Sequence, residues 1–169
     1  MLEIALIIGG VVVDQLSKMV FTNMLQFPGT TQLLIPGFLN LTYVKNYGAA
    51  FGILQNMQWL LAIVALLVCG VGAFYLLRNR NNPMLVRLSI SLIIAGGLGN
   101  LIDRAVLGYV RDFFEFAFVR FYIFNVADIF VTVGAALLII YLVFLERRRG
   151  KPTIVARDGV KDGGENGQA

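Results

Sequence analysis

Three aspartates lie within or beside long apolar stretches, where carboxyl groups are suited to proton-transfer chemistry. Asp103 follows an apolar run, Asp128 lies near the start of another, and Asp112 lies between them. Two carboxyl groups held close together in a medium of low dielectric constant cannot both ionise cheaply, so one is expected to keep a proton. The ionised partner can take a proton from an attacking water, while the protonated partner polarises the carbonyl under attack. Paired aspartates could therefore perform the chemistry of an aspartic protease, which requires no histidine, cysteine or metal.

The composition excludes most other kinds of catalytic site. The chain contains no histidine, which rules out a Ser-His-Asp triad, a Cys-His pair and an H-E-x-x-H zinc site. Its one cysteine, Cys69, lies in an apolar run without a neighbouring base and is expected to pack inside a helix. We predict no metal, no cofactor and no nucleic-acid binding. The D-[ST]-G signature of soluble aspartic proteases and the G-x-G-D signature of presenilin-type proteases are absent.

The elements that must position these carboxyl groups are membrane helices. Of the 169 residues, 58% are hydrophobic and 14% are charged, whereas soluble domains carry about 25% charged residues. A helix needs roughly 20 residues to cross a bilayer, and four stretches qualify: about 2–21, 58–77, 85–102 and 124–145. The sequence thus predicts an all-α membrane protein with one domain over residues 1–149. The Gly-rich residues 150–169 are expected to form a disordered tail.

The distribution of basic residues predicts the orientation of the spans. The loop between spans two and three and the tail after span four together hold nine Lys and Arg residues. The opposite side holds Lys45, Arg104, Arg111 and Arg120. Both termini are therefore predicted to be cytoplasmic, with the carboxyl groups near the outer membrane face.

Two outer segments are expected to cover the carboxyl groups. Residues 38–46 have the composition of a strand and are bounded by turn residues, so we expect a small sheet or strand pair at the membrane surface, with an irregular loop as the alternative. Residues 103–123 are expected to form a short interfacial helix or loop. This segment could close as a lid, with four phenylalanines dipping into the membrane: Phe113, Phe114, Phe116 and Phe118.

Ionisable and amide side chains at membrane depth are costly, which marks them as candidate functional residues. Asp14 and Lys18 are spaced i, i+4, so they share a helix face and either neutralise each other or orient neighbouring groups. Asn100 with Asp103, and Asn125 with Asp128, are each spaced i, i+3. Gly96, Gly97 and Gly99 permit close helix approach, and residues 48–52 could let the backbone approach a ligand.

Two other classes of protein remain open at this point. A small transporter or channel subunit would use Asp14, Lys18, Asp103 and Asp128 as an ion path. A structural partner of other membrane proteins would make the carboxylates individually dispensable. The ion path predicts charges spread through the membrane, whereas span two carries no charge at all.

Five blocks of sequence resemble the lipoprotein signal peptidase family, the bacterial signal peptidase II enzymes. They are residues 14–18 (DQLSK), 46–51 (NYGAAF), 96–104 (GGLGNLIDR), 110–113 (VRDF) and 124–128 (FNVAD). They occur in the family's order and cover most of the chain up to about residue 147.

The resemblance implies a membrane endopeptidase that cuts diacylglyceryl-modified prolipoproteins on the amino side of the lipidated cysteine. It implies Asp112 and Asp128 as the catalytic dyad, globomycin-type inhibitors, and a bacterial cytoplasmic (inner) membrane location. We expect a monomer in contact with membrane lipid. Asn46, Asn100, Arg104 and Asn125 are expected to position the substrate or the dyad, and Asp103 ranks third as a catalytic candidate because helix-end hydrogen bonding with Arg104 and Asn100 should occupy it. The remaining motif positions are Asp14, Lys18, Gly48 and Ala127.

Overall fold

The computed structural model describes residues 1–49, 53–79 and 81–145, and within them the chain forms four long helices. They are α1 (Leu2–Leu25), α2 (Gln58–Arg78), α3 (Met84–Leu107) and α4 (Val126–Ile140), and α4 continues as a π-helical turn, Tyr141–Leu145. All four are long and apolar enough to cross a membrane. The predicted four-span architecture is therefore confirmed. The expected disordered tail lies outside the described residues.

Two helices extend beyond their predicted ends. Helix α1 continues past Thr22. The Thr22 hydroxyl donates to the carbonyl of Lys18, so it has a hydrogen-bond partner within the helix. Helix α3 continues through Asp103 and Arg104 and ends at Gly108, which adopts a left-handed φ of 76°. Polar residues were expected to mark the helix ends, but Thr22 stays helical with a partner in its own helix, and Asp103 and Arg104 stay helical with partners from other parts of the fold.

Helix α3 lies at the centre of the bundle. Half of its membrane span is buried inside the protein, whereas the spans of the other helices are between 6% and 11% buried. Its glycines bring the neighbouring helices close, as predicted. A β-carbon at Gly96 would overlap the carbonyl oxygen of Ala127, and one at Gly99 would overlap the carboxylate of Asp14. Cys69 is buried against α3, which confirms its packing role.

A three-stranded antiparallel sheet joins the helices at one end. Its order is β1 (Thr31–Ile35), β2 (Leu39–Asn46) and β3 (Val110–Phe116). Strand β2 confirms the prediction for residues 38–46. Strand β3 differs from the expected interfacial helix or loop, because residues 110–116 find hydrogen-bond partners along β2, where Val44 pairs with Asp112.

The expected membrane-dipping phenylalanines do not share one environment. Phe113 is fully buried in a cluster with Leu25, Leu41 and Tyr43, so its assignment to a membrane-dipping lid is wrong. Phe118, in contrast, is 63% exposed. Phe113 lies inside β3 and packs against residues of α1 and β2, whereas Phe118 lies beyond the end of the strand at Phe116.

Candidate active site

Asp112 and Asp128 meet at a single residue, Asn125. Strand β3 carries Asp112, which is 2% exposed, and α4 carries Asp128 in its first turn. The Asn125 side-chain amide donates to Asp112 Oδ1 at 2.6 Å, and the Asn125 main-chain N–H donates to Asp128 Oδ2 at 3.0 Å. The structure therefore brings together the two aspartates that the family resemblance implies as a dyad.

The start of α4 fixes the geometry of Asp128. Asn125 is the N-cap residue and its side-chain oxygen accepts from the Asp128 main-chain N–H at 3.1 Å, while the Asp128 carboxylate accepts from the Asn125 N–H. This reciprocal pair is a capping box, which satisfies free N–H groups of the first turn. The i, i+3 spacing of Asn125 and Asp128 thus reflects a capping box, which is more specific than a shared helix face.

Asn100 holds the other oxygen of Asp128. Its side-chain amide donates to Asp128 Oδ1 at 2.8 Å. Its oxygen accepts from Lys18 Nζ at 2.9 Å and from the Asn125 amide at 3.1 Å. Because an ammonium group can only donate, Lys18 forces the Asn100 oxygen toward itself and the amide nitrogen toward Asp128.

Asn46 and Gly48 complete the surroundings of Asp112. The Asn46 amide donates to Asp112 Oδ2 at 2.9 Å, and its oxygen accepts from the Gly48 N–H at 2.8 Å. A β-carbon at Gly48 would lie 2.9 Å from the carbonyl oxygen of Ile53, so the glycine is required by its own loop. The expected close approach of residues 48–52 to a ligand concerns positions that lie partly outside the described residues.

A second cluster of charge lies beside the dyad, and we call it the neutralised network (Asp14, Lys18, Asp103 and Arg111). Lys18 Nζ lies 2.9 Å from Asp14 Oδ2 and 3.6 Å from Asp103 Oδ2. Arg111 Nη2 lies 2.7 Å from Asp103 Oδ1. The predicted Asp14–Lys18 ion pair is confirmed.

Asp103 is occupied by partners other than the expected ones. Arg111 donates to its carboxylate from the main chain at 2.9 Å and from the side chain, and Gln15 donates at 3.2 Å. The expectation that Arg104 and Asn100 hold Asp103 is wrong. Arg111 and Gln15 were missed as site residues, although both lie inside the quoted motif blocks. Their partners are 8 and 88 positions away, which local spacing does not reveal.

Asp14 and Arg104 each hydrogen-bond to a main-chain group near the two aspartates. Asp14 Oδ1 accepts from the Ala127 N–H at 2.9 Å, so α1 fixes the first turn of α4. Arg104 donates to the Gly48 carbonyl at 3.3 Å. The Nε atom of Arg104 is buried without a hydrogen-bond partner among the described residues, and its side chain lines the same cleft as Asp128.

Burial and repulsion give Asp112 an unusual affinity for protons. Burial, followed by the negative charge of Asp128, raises the pKa of Asp112 to about 7, against hydrogen bonds from Asn46 and Asn125 that lower it. By contrast, the hydrogen bond with Asp103 raises the pKa of Arg111 and keeps this guanidinium charged. A carboxyl that exchanges its proton near neutral pH is suited to acid–base catalysis.

Pockets reach the two aspartates from different sides. A cleft of about 310 Å³ between α2, α3 and α4 is lined by Asp128, Asn100 and Arg104 among apolar residues. A second pocket of about 340 Å³ is lined by Asp112, Asn46 and Tyr122. Tyr122 lines both pockets. In the part of the chain that the structure describes, no three acidic or cysteine side chains are grouped so as to hold a metal ion.

The fold and the site define a multi-pass membrane protein with a carboxylate pair at one end of its helical bundle. Comparison with known proteins identifies its family. The family described as Signal peptidase (SPase) II matches residues 6–144. The chain belongs to this signal peptidase II family, and it is therefore a peptidase, which excludes the ion-path and structural-partner alternatives as its principal class.

Individual relatives and solved structures agree with the family. The chain is 49% identical to a lipoprotein signal peptidase of Clostridioides difficile over 88% of its own length and 99% of that protein. It is 45% identical to one of Streptococcus agalactiae over 78% and 85% of the two chains. A bacterial membrane enzyme structure solved by the in meso method is 30% identical, with a TM-score of 0.81 and 94% of each chain covered.

Proposed function

We propose that this protein is a membrane aspartic endopeptidase that removes signal peptides from diacylglyceryl-modified prolipoproteins. The relatives named lipoprotein signal peptidase support the substrate class, prolipoproteins. The proposed cleavage position is the amino side of the lipidated cysteine. The dyad is Asp112 and Asp128, and globomycin-type inhibitors are expected to block it.

One observation carries the aspartic mechanism. The two carboxylates share Asn125, and every hydrogen bond that the described residues make to them comes from an amide or a main-chain N–H rather than from a cation. Such donors orient a carboxylate without cancelling its charge. The pair therefore retains the mutual repulsion that makes it hold one proton near neutral pH.

The reaction follows from one proton shared by two carboxyl groups. The ionised carboxylate takes a proton from water as the water oxygen bonds to the scissile carbonyl carbon, while the protonated carboxyl gives its proton to the carbonyl oxygen. The carboxyl that took the proton from water then gives it to the amide nitrogen, while the other carboxylate takes a proton from a hydroxyl of the tetrahedral intermediate. The C–N bond breaks, and the products are a carboxylic acid and a free amine. The two carboxyl groups together end with the single proton they began with.

The membrane setting suits a lipid-modified substrate. With both termini cytoplasmic, the dyad lies near the outer face, where the diacylglyceryl chains can stay in the outer leaflet. The apolar cleft beside Asp128 offers the scissile segment a route from the lipid between α2 and α4. Asn100 and Asn125 keep the two carboxylates in place during this approach.

The test is a gel-shift cleavage assay on purified protein with a diacylglyceryl-modified prolipoprotein. Asp112→Asn and Asp128→Asn are expected to lower the cleavage rate by at least about 10³-fold, because neither neutral amide can replace the acid or the base. Glu115→Gln is the matched control: Glu115 lies on the same strand and bonds Thr42 instead of the dyad. Mass spectrometry of the product identifies the bond that is cut.

Two results would refute the proposal. If wild-type protein leaves the modified prolipoprotein intact, the proposed activity is wrong. If both aspartate variants cleave normally, the dyad assignment is wrong. Binding of globomycin to the variants shows that they are folded, so that a loss of cleavage reflects lost chemistry and not lost structure.

A further inference from the structure

A long apolar groove runs along the bundle away from the dyad. The cleft of about 310 Å³ beside Asp128 is followed along the bundle by a larger cavity of about 640 Å³. Val68 of α2 and Ile93 of α3 line both cavities, so the two adjoin each other between α2 and α4. We call the two cavities together the α2–α4 groove. It ends near Tyr75, Asn82 and Leu142, at the opposite end of the bundle from the sheet.

The groove exists because α2 and α4 both pack on α3 and have at most marginal contact with each other. Helix α3 forms the floor with Val86, Ile90 and Ile93, and the other two helices form the walls. Only 6% of the α2 span is buried inside the protein. The opening faces the region that lipid would occupy, so a membrane-embedded partner can reach it sideways.

The length of the groove corresponds to that of a short apolar helix. Leu142 follows Asp128 by 14 positions along one wall, which is about 21 Å at roughly 1.5 Å per helical residue. The apolar core of a signal peptide has about 7–15 residues, or about 10–22 Å when helical. Such a helix satisfies its own backbone hydrogen bonds and needs only apolar walls.

The direction of the groove also agrees with this occupant. The chain on the amino side of the scissile bond must leave the dyad and descend into the bilayer, and the groove starts at Asp128. The carboxyl-terminal end of a helix presents unpaired carbonyl groups and favours a nearby cation. Arg104 lies at the dyad end of the groove, and its buried Nε has no hydrogen-bond partner in the part of the chain that the structure describes.

We propose that the α2–α4 groove binds the apolar helix of the substrate's signal peptide, with the carboxyl-terminal end of that helix at Arg104. This inference rests on the proposed function and extends it. Lipid tails fill the groove when no substrate is present, and the signal helix displaces them. Recognition of the substrate then comes from the length and apolar character of its helix as well as from the residues next to the cleaved bond.

Substitutions at the far end of the groove test this binding without touching the dyad. Val71 and Leu142 line that end and are 68% and 48% exposed, so larger side chains can be introduced without disturbing the packed bundle. Val71→Trp and Leu142→Trp are expected to raise KM about tenfold and leave kcat within about twofold, because the helix is excluded while the chemistry is intact. Leu66→Trp, on the opposite side of α2 and 59% exposed, is the matched control.

Photo-crosslinking identifies the occupant. A benzophenone-bearing amino acid at position 71, 142 or 66 is placed in the non-cleaving Asp128→Asn background and illuminated with prolipoprotein in liposomes. Adducts with the signal-peptide part from positions 71 and 142, and none from 66, support the proposal. Adducts with lipid alone, equal adducts from position 66, or an unchanged KM in both tryptophan variants would overturn it. Wild-type cleavage is measured alongside, since its absence would refute the proposed function instead.

Discussion

Two clusters of buried acids lie side by side in this protein and are held by different kinds of partner. In the neutralised network, Asp14 and Asp103 are paired with Lys18 and Arg111. In the dyad, Asp112 and Asp128 accept hydrogen bonds from amides and main-chain N–H groups. Cations cancel the charge of a carboxylate, whereas amides orient it and leave its charge in place. The first arrangement suits a structural role, and the second keeps a proton available for chemistry.

The two clusters are nevertheless connected. Lys18 belongs to the neutralised network and also donates to Asn100, which donates to Asp128. Arg111 bonds Asp103 and is the residue next to Asp112 on β3. The network thus anchors both elements that carry the dyad. Substitutions that act on one cluster at a time should separate stability from catalysis.

The largest effect is expected from Lys18→Met. Lys18 is fully buried, so its loss leaves Asp14 without its cation and Asp103 with Arg111 as its one remaining cation among the described residues. Removing one partner of a buried ion pair costs about 3–5 kcal/mol. Thermal unfolding in detergent should show a large decrease in Tm. Lys45→Met, at an exposed position on β2, is the control, and equal Tm values for the two variants would contradict a stabilising role for the network.

A smaller effect, on catalysis, is expected from Asn100→Ala. Asp128 loses a donor to Oδ1, and a hydrogen bond to a charged group contributes about 1.5–3 kcal/mol. We expect kcat to fall about 10- to 100-fold with KM nearly unchanged, as measured by steady-state cleavage. A decrease in Tm comparable to that of Lys18→Met, with kcat preserved, would instead place Asn100 in the structural cluster.

Asp112→Asn should stabilise the protein while it abolishes cleavage. The pKa of Asp112 is raised from 3.8 to about 7 in the folded state, so the folded protein binds this proton more tightly than the unfolded chain. This contribution to stability is present below about pH 4 and is lost as the pH rises through about 7. The variant should therefore gain about 1–2 kcal/mol over wild type near pH 8 and less at pH 5. A lower Tm at pH 8 would contradict uncompensated repulsion in the dyad.

The smallest effect concerns the pH profile of cleavage. Loss of the shared proton should reduce kcat/KM above about pH 7, where Asp112 ionises. The hydrogen bond from Asn46 lowers the pKa of Asp112, so Asn46→Ala should move this alkaline limb upward by about half a pH unit. Glu115→Gln should leave the limb in place. A downward shift in Asn46→Ala would show that Asn46 favours the protonated form.

The four spans and β2 could be predicted because each depends on local composition. Apolar length identifies a membrane helix, and turn residues bound the strand. Strand β3 could not be predicted in the same way, because its residues find their hydrogen-bond partners about 70 positions earlier, as in the pairing of Asp112 with Val44. The helix ends at Leu25 and Leu107 were missed for a related reason. In α1, Thr22 bonds to a carbonyl of its own helix, and in α3, Asp103 is held by tertiary contacts with Gln15 and Arg111.

In the candidate site, too, local features could be predicted from the sequence and long-range contacts could not. Spacing singled out Asn100 with Asp103 and Asn125 with Asp128, and the family resemblance implied the pair Asp112 and Asp128, which the structure brings together at Asn125. It did not reveal the partners of Asp103, since Gln15 lies on another helix and Arg111 on a strand that was expected to be a helix or loop. Local sequence therefore indicated the candidate site residues, whereas the interactions that hold them depend on long-range packing.

The capping box at the start of α4 means that the surroundings of Asp128 and those of Asp112 can form at different stages of folding. Asn125 and Asp128 are three positions apart, so their reciprocal bonds can form as soon as the first helical turn does, on a timescale of about a microsecond or less. The Asn46–Asp112 bond joins residues 66 positions apart and has to wait for two strands to pair. One aspartate is thus in position early, and the second completes the pair only when the sheet has formed. The site that we propose for peptide-bond cleavage is therefore complete only at the stage when the sheet has formed.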